Sequence, residues 1–343
     1  MFDSTPKQLR FPTMDGMTVR GDFDGGALSS DFGPMILRGI DSQIGLTERL
    51  SQAFNDTRHP SYIDHTMRDL FAQRIYQISC AYDDGNDANS LRTDPVFKMG
   101  LDRFPLDPNT NLASAPTFSR LENAATTKDI FRLAKAFVDQ FIDSYNKPPK
   151  LIVLDLDHSE DITHGQQQLS FYNHHYRNYC YLPLFIFEGI SGKFITATLR
   201  PGKRPTGVEN AMILKRVLKH LRTAWPKTHI VLRGDGHFSN PELMELALSD
   251  SRVDFIFGMS GNSVLSNLAK PFLETNRANY EQRCKLARLA GLPGPDGIRT
   301  FHEVEYAAAS WPQNFRVVLK AEIMSLGDNP RFVVTSLKGA TPE

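Results

Sequence analysis

The sequence predicts an α/β protein in which a mostly helical N-terminal region precedes a mixed sheet and a β-rich C-terminal segment. Three observations support this fold class. Apolar residues recur at three- and four-residue spacing before Lys150, which is the period of a helix. After Lys150, short β-rich apolar runs alternate with helical patterns, and towards the C-terminus apolar and polar residues alternate along the chain, as they do in half-buried strands.

The N-terminal region is dominated by the helical period. Residues 1–25 are polar and Gly-rich without a clear period, which indicates an irregular or strand-like arm. Helical patterns are predicted over 41–82 and over 117–145, where the Lys-Pro-Pro run at 147–149 ends the second one, since proline stops a helix. The Pro- and Asn-rich passage 94–116 predicts connecting loops.

The middle of the chain predicts strands and helices in a definite order. LIVLDLD (151–157) is an apolar run, and YCYLPLFIFEG (179–189) and KFITATLR (193–200) flank a hairpin-turn signal that contains Gly192. Thr206 and Glu209 have the spacing of a capping box. The remaining segments are a helix from Thr206, the strand HIVLRGD, a helix from Asn240 and the strand VDFIFGMS.

The C-terminal part predicts a helix over 275–290, a Gly/Pro turn and three alternating segments that form a small antiparallel sheet. These segments are TFHEVEYAA, FRVVLKAEIM and PRFVVTSL. We therefore expect three domains: a mostly helical region over 1–148, a core over 149–262 and a β-rich insertion over 263–343.

Composition excludes several classes of protein. No apolar run approaches the roughly 20 residues of a membrane-spanning helix, and the N-terminus lacks the apolar core of a signal peptide. Cys80, Cys180 and Cys284 are widely separated without a Cys-x-x-Cys pair. A disulfide framework or a zinc site is therefore not expected, and a reducing cytoplasm is the predicted location.

The two carboxylates at the end of the first apolar strand, Asp155 and Asp157, suit two chemistries. One is phosphoryl transfer through an aspartyl intermediate, because the Asp-Leu-Asp run is similar to the motif of haloacid-dehalogenase-like Mg²⁺-dependent phosphohydrolases. A β-hairpin after this strand disfavours that alternative, because doubly wound parallel sheets do not use a hairpin at their centre.

The other chemistry is metal-assisted cutting of a nucleic-acid backbone. The order of elements matches the RNase H-like fold, which carries acids on its first strand and at the end of its fourth. Asp157, with Asp155, and Asp235 occupy those places. Carboxylates that converge in this way suit Mg²⁺ or Mn²⁺, and we expect Asp157, Asp235 and Asp155 to bind the metal.

Local charge points to nucleic acid although the net charge is zero. Between Arg200 and Arg233, nine Lys or Arg residues face one acid, Glu209, which is an excess of 9 − 1 = +8. This stretch is either a solvated surface or a phosphate-binding one. The predicted DNA-contacting residues are Arg200, Lys203, Arg204, Lys215, Arg216, Lys219, Arg222, Arg233, His164 and Gln166.

The motifs LDLDHSEDITHGQQ, YCYLPLFIFEGISGKFITATLRPG and HIVLRGDGHFSNPEL resemble the bacterial insertion-sequence transposases of the DDE domain group 1 type. N-terminal runs such as DTRHPSYIDHTMRDLFAQRIYQI resemble that family too, so the likeness covers nearly the whole chain. It implies Mg²⁺-dependent DNA cleavage and strand transfer, DNA ends and target DNA as partners, and a homodimer in the synaptic complex. Asp157 and Asp235 match the first two catalytic acids.

The third acid of that family has no match. The family places a Glu on a helix after its β-rich insertion, whereas Glu303, Glu305 and Glu322 fall inside predicted strands. We therefore expect a chain cut short before its catalytic Glu, with DNA binding but doubtful cleavage.

Overall fold

The computed structural model describes residues 8–14, 17–22, 29 and 31–339. They divide into two compact units, Met1–Ala136 and Phe137–Glu343. Helices and a mixed sheet are both present, which confirms the predicted α/β class. No helix in these ranges is both long enough and apolar enough to cross a membrane.

The first unit is largely helical, as predicted. Its two strands, β1 (Gln8–Met14) and β2 (Met17–Asp22), pair antiparallel within the predicted N-terminal arm. Residues 1–7, 15–16 and 23–25 of that arm lie outside the described part. The helices are α1 (Gly33–Ile44), α2 (Leu46–Ala53), α3 (Met67–Ser79), α4 (Asp87–Leu91), α5 (Pro95–Gly100), α6 (Ala115–Ala124) and α7 (Thr127–Asp143), the last of which continues into the second unit.

Local signals divide the predicted helical stretches into separate helices. Gly45 adopts a left-handed conformation with φ of 67° between α1 and α2, which glycine does without steric cost. Thr66 and Asp69 form a capping box that starts α3. The prediction of loops over 94–116 was wrong in one place, because Asp94 accepts from the amides of Val96 and Phe97 and caps α5.

The second unit contains the sheet and its covering helices. Its strands are β3 (Leu151–His158), β4 (Asp161–Ile162), β5 (Phe171–Asn173), β6 (Asn178–Tyr181), β7 (Leu184–Glu188), β8 (Phe194–Thr198), β9 (His229–Gly234), β10 (Val253–Met259), β11 (Gly297–Tyr306), β12 (Phe315–Met324), β13 (Gly327–Asp328) and β14 (Arg331–Thr335). Its helices are α8 (Gly207–Ala224), α9 (Pro241–Leu248) and α10 (Ser263–Leu289).

The central sheet has the strand order β11-β12-β14-β10-β9-β3-β7-β8, with β13 beside β12. Strand β3 is antiparallel to β7 and parallel to β9, and β7 is antiparallel to β8. This confirms the mixed, RNase H-like sheet. It also disfavours the phosphohydrolase alternative, since an antiparallel hairpin flanks the acid-bearing strand.

The prediction that YCYLPLFIFEG forms a single strand is wrong. The segment forms β6 and β7, which belong to different sheets and are separated by Leu182 and Pro183. Proline has no N–H to donate to a strand ladder, so pairing stops there. Strand β6 instead lies between β4 and β5 in a three-stranded antiparallel sheet that sequence patterns did not reveal.

The C-terminal strands are antiparallel to one another, as predicted, but they do not form a separate sheet. Strand β14 pairs with β10 over Ile256–Met259 and with β12 on its other side, so the β-rich segment continues the central sheet. Helix α10 starts at Ser263 rather than at 275, capped by Asn262. The turns before residue 275 were not predicted because Pro271 lies inside the helix, and proline normally ends a helical pattern.

The core lies between this sheet and its helices. Leu214, Leu218 and Leu221 of α8 are buried against the apolar face of the sheet together with Leu154 and Phe255. The capping box predicted for α8 is present, with the Thr206 hydroxyl accepting from the Glu209 amide at 3.2 Å. These contacts fix the strands whose ends carry the acidic residues.

Candidate active site

Asp157 and Asp235 lie at the carboxyl ends of two neighbouring parallel strands. Burial alternates along β3, with Leu154 and Leu156 buried and Asp157 exposed, because successive side chains point to opposite faces. The parallel register pairs Leu156 with Gly234. Asp157 is the next residue of β3 and Asp235 follows the last residue of β9, so the ladder brings the two positions side by side.

The two carboxylates repel each other. Burial raises the pKa of Asp157, and the charge of Asp235 raises it further; the His158 backbone N–H and the His237 charge act in the opposite direction. Asp235 accepts a hydrogen bond of 2.9 Å from the His237 backbone N–H, and its other oxygen is 3.5 Å from Nδ1 of the same residue. A divalent cation would relieve this repulsion.

Asp155 lies on the same face of β3 but is already paired. Nε and Nη2 of Arg233 donate to its two carboxylate oxygens, and β3 and β9 place the two residues directly opposite each other. A Cβ on Gly189 would lie 2.7 Å from Oδ2 of Asp155 and 2.8 Å from Nη2 of Arg233. Only glycine leaves room for this pair.

A buried aromatic stack holds the two acid-bearing segments together. The His158 ring stacks on Phe238, with centroids 4.9 Å apart and planes 9° from parallel. Phe238 is fully buried, and a Cβ on Gly234 would approach its ring to 2.5 Å. Gly234 thus lets the loop after β9 fold back under β3, and sequence reasoning missed both His158 and Phe238.

In the described part of the chain, several buried polar atoms around His158 make no hydrogen bond of normal geometry. They are both ring nitrogens of His158, both amide atoms of Asn210 and Nη1 of Arg200, and all three residues are buried. Burial, followed by the charges of Arg200 and His237, lowers the pKa of His158 to about 4, while the neighbouring Asn210 side chain and the Asp235 charge act in the opposite direction. The imidazole is therefore neutral at pH 7.

Within residues 8–14, 17–22, 29 and 31–339, no group of three or more His, Cys, Asp or Glu side chains could hold a metal ion. Glu303 on β11 pairs with Arg316, and Glu322 on β12 pairs with Lys320 and Asn329. Strand β12 is three strands from β9 and β11 is four, which places them about 14 and 19 Å away at the usual strand spacing. Glu305 is exposed on β11 as well.

The predicted DNA-contacting residues fall into two groups. Arg200 is buried and bonded to Glu209 at 2.7 Å, Arg222 is bonded to Asp250 at 2.7 Å, and Arg233 holds Asp155. Arg233 is itself exposed but is engaged by this acid. The remaining residues are all exposed, and they are Lys203, Arg204, Lys215, Arg216, Lys219, His164 and Gln166.

A mixed sheet with acidic residues at the ends of β3 and β9 is the arrangement expected of an RNase H-like nucleic-acid enzyme. The family model described as transposase DDE domain group 1 matches residues 11–343. The chain belongs to this transposase family. No curated protein matches it.

Solved structures that are similar to the chain include two transposase complexes. A piggyBac transposase synaptic complex with hairpin DNA has 13% identity and a TM-score of 0.41, and the match covers 92% of this chain. The chain spans 63% of that protein's length. A Mos1 transposase paired-end complex with the left transposon end has 11% identity and a TM-score of 0.21, and the match covers 64% of this chain and 76% of the other.

Proposed function

We propose that this protein is an insertion-sequence transposase whose DNA-cleaving centre is the pair Asp157 and Asp235. The observation that carries the proposal is the juxtaposition of these carboxylates, one on β3 and one directly after β9, with the pKa of Asp157 raised by burial and by its neighbour. Family membership over residues 11–343 supports it.

The donor set fits a divalent cation of the Mg²⁺ or Mn²⁺ type. Both ligands are carboxylate oxygens, which hard cations prefer, and the Asp235 side chain is 58% exposed and so open to solvent. A bound cation would supply Lewis-acid activation of water or a 3′-hydroxyl at a phosphodiester. Asp157 and Asp235 would hold it, and Asp155, already paired with Arg233, would position Asp157 through β3 rather than bind the metal.

Around this centre, Arg233 offsets the charge of Asp155 and limits the negative charge at the site. The exposed cations Lys215, Arg216 and Lys219 on α8, together with Lys203 and Arg204, would contact DNA phosphates. We assign binding of the element's ends to the helical region 1–148, the chemistry to 149–262 and an accessory role to 263–343. Transposition joins two DNA ends, which suits a homodimer.

Metal binding provides the first test. Thermal unfolding of the purified chain should shift to higher temperature with Mg²⁺ or Mn²⁺, because a ligand of the folded state stabilises it. The shift should disappear in Asp157→Asn and Asp235→Asn and persist in Asp161→Asn, a nearby exposed acid. A shift that survives both substitutions would overturn the proposed centre.

Cleavage of DNA that carries the ends of the element's own sequence tests the activity. Metal-dependent nicking, lost in Asp157→Asn, is the expected result for a complete catalytic centre. Metal binding together with end-specific DNA binding but without nicking would assign the chain a DNA-binding role alone.

A further inference from the structure

The three-stranded sheet beside the acid pair presents exposed aromatic rings. Tyr172 on β5 and Tyr179 on β6 are 45% and 61% exposed, and their ring centroids are 5.5 Å apart at 68°. The His174 ring lies 5.2 Å from that of Tyr172. Three rings thus form one patch on a sheet of only three short strands.

Strand register places these rings on the open face of the sheet. Tyr172 pairs directly with Tyr179, whereas the next pair, Phe171 with Cys180, points to the other face. Cys180 is fully buried there. The Tyr172–Tyr179 face therefore stays open while the opposite face is packed.

The packed face of this sheet is covered by a loop that carries cations. A Cβ on Gly202 would lie 2.1 Å from the Cys180 carbonyl oxygen, so glycine allows the 201–204 loop to lie directly on the strands. Nζ of Lys203 is then 4.3 Å from the centroid of Phe171. Lys203 therefore lies on the face opposite the tyrosine rings, whereas Arg177 is exposed in the turn that joins β5 to β6. Arg177 gives the open face a neighbouring cation that complements a phosphate backbone.

The sheet adjoins the acid pair. Strand β3 ends at His158 and β4 starts at Asp161, and the Ser159 N–H donates to the Pro183 carbonyl at 3.2 Å. Burial, and then the charges of Asp157, Glu160 and Asp235, raises the pKa of Tyr176 in the β5–β6 turn. The turn is therefore within electrostatic reach of both acids.

The size of the patch decides what can occupy it. Strands of four residues or fewer span about 13 Å, and three strands extend about 10 Å across. This area is far below the roughly 800 Å² per partner of a stable protein interface. It is comparable with one or two flat rings, which stack well on aromatic side chains.

We propose that the Tyr172–Tyr179 face stacks on unpaired bases of a DNA strand whose backbone passes the Asp157–Asp235 pair. The inference rests on the proposed transposase function and names its ligand more closely, as DNA that is locally unpaired at the cleavage point. Arg177, in the turn between the two ring-bearing strands, holds an adjoining phosphate, and the rings read no particular base, since every base has a flat face.

Binding of two oligonucleotides of equal length tests this proposal. One is a full duplex and the other carries a single unpaired 2-aminopurine, so stacking is read from fluorescence quenching and affinity from a titration at fixed salt. The wild-type chain should prefer the unpaired DNA and quench it. Tyr172→Ala with Tyr179→Ala should lose about tenfold or more of this preference, because stacking contributes that much per base.

The Tyr172→Phe, Tyr179→Phe variant should keep both the preference and the quenching, since the ring rather than the hydroxyl carries the interaction. Phe301→Ala, which removes a 43% exposed ring from β11, should leave both unchanged. Equal wild-type affinity for the two DNAs, or an undiminished preference in the double Ala variant, would overturn the proposal. The metal-dependent thermal shift reports the acid pair separately, so either idea can fail while the other stands.

Discussion

Arg233 donates to both carboxylate oxygens of Asp155, one from Nε and one from Nη2, across the parallel ladder of β3 and β9. Two residues further along both segments, just past the last rung of the ladder (Leu156 with Gly234), lie two acids, Asp157 and Asp235. An ion pair is thus followed, with one rung between them, by a like-charge pair. The first stabilises the fold, whereas the second becomes favourable only when a cation is added.

Gly189→Ala should break the ion-paired rung. The new Cβ would lie within 3 Å of both partners, and forcing such a group into a packed site costs about 1–3 kcal/mol. We expect a loss of this size in the free energy of unfolding, measured with urea. Gly39→Ala in α1, where nothing lies within 4 Å, should instead stabilise the protein by about 0.5–1 kcal/mol. A neutral Gly189→Ala would show that the pair tolerates displacement.

Asp157→Asn should stabilise the metal-free protein at pH 7. The native pKa of Asp157 is raised above 3.8, so the folded state binds more protons than the unfolded state between these two values. Stability from this group is therefore present at low pH and declines as pH rises through the native pKa. The variant should show a higher Tm than wild type at pH 7, and the difference should vanish near pH 3.

The comparison must be made in chelator and then in Mg²⁺. The cation should raise the wild-type Tm and leave that of Asp157→Asn unchanged. The difference in Tm between the two proteins should therefore become smaller or change sign. If the wild type is the more stable protein in chelator, the two acids do not repel as inferred.

His158 should give the stability a pH dependence of opposite sign. Its native pKa of about 4 lies below the unfolded value of 6.5, so the unfolded state binds more protons in this window. The contribution is complete above pH 6.5 and is lost as pH falls towards 4, by on the order of 3 kcal/mol. The free energy of unfolding, measured with urea between pH 7 and 4, should fall less steeply with decreasing pH in His158→Gln than in wild type. An equal pH dependence in the two proteins would mean that the pKa of His158 is not lowered in the native state.

The main features of the fold were predictable because they follow from local chemistry. The apolar run of β3, the capping box at Thr206 and the turn at Gly192 each specify their element within a few residues. The joining of β14 to β10 was not predictable in this way. It is a pairing between segments distant in sequence, and an alternating pattern states which residues face a core but not which strand lies beside it.

The features of the site also divide into those that the sequence predicts and those that depend on contacts between distant segments. Asp157 and Asp235 could be placed together from element order alone, because ends of parallel strands meet at one edge. The pairing of Asp155 with Arg233 depends on register, and the stacking of His158 on Phe238 depends on a backbone turn permitted by Gly234. The Tyr172–Tyr179 patch lies in strands of three and four residues, which are too short for a period to be recognised.

Glu303→Gln and Glu322→Gln should leave the metal-dependent thermal shift unchanged. Both residues lie on strands about 14–19 Å from β9, too far to share a cation with Asp235, and each is bonded to a neighbouring cation. Loss of an exposed ion pair costs about 0–1 kcal/mol, so a slightly lower Tm without metal is expected for Glu303→Gln. A larger decrease is expected for Glu322→Gln, because this carboxylate is only 13% exposed. A lost Mg²⁺ shift in either variant would mean that the C-terminal strands approach the acid pair.

The exposed cations of α8 should govern the salt dependence of DNA binding. Lys215, Arg216 and Lys219 face solvent, and each phosphate contact releases counterions and contributes about 0.9 to the slope of log affinity against log salt. Replacing all three by Ala should lower this slope by about 2–3 for a duplex of arbitrary sequence, measured by fluorescence anisotropy from low to physiological salt.

The charge-matched control replaces Arg283, Lys285 and Arg288, which are exposed on α10, and its slope should change less. Arg222 is left in place because it bonds Asp250 and the Thr228 carbonyl oxygen, so its loss would destabilise the unit rather than report on DNA. Equal slopes for the two triple variants would make the α8 surface a solvated face with no part in DNA binding.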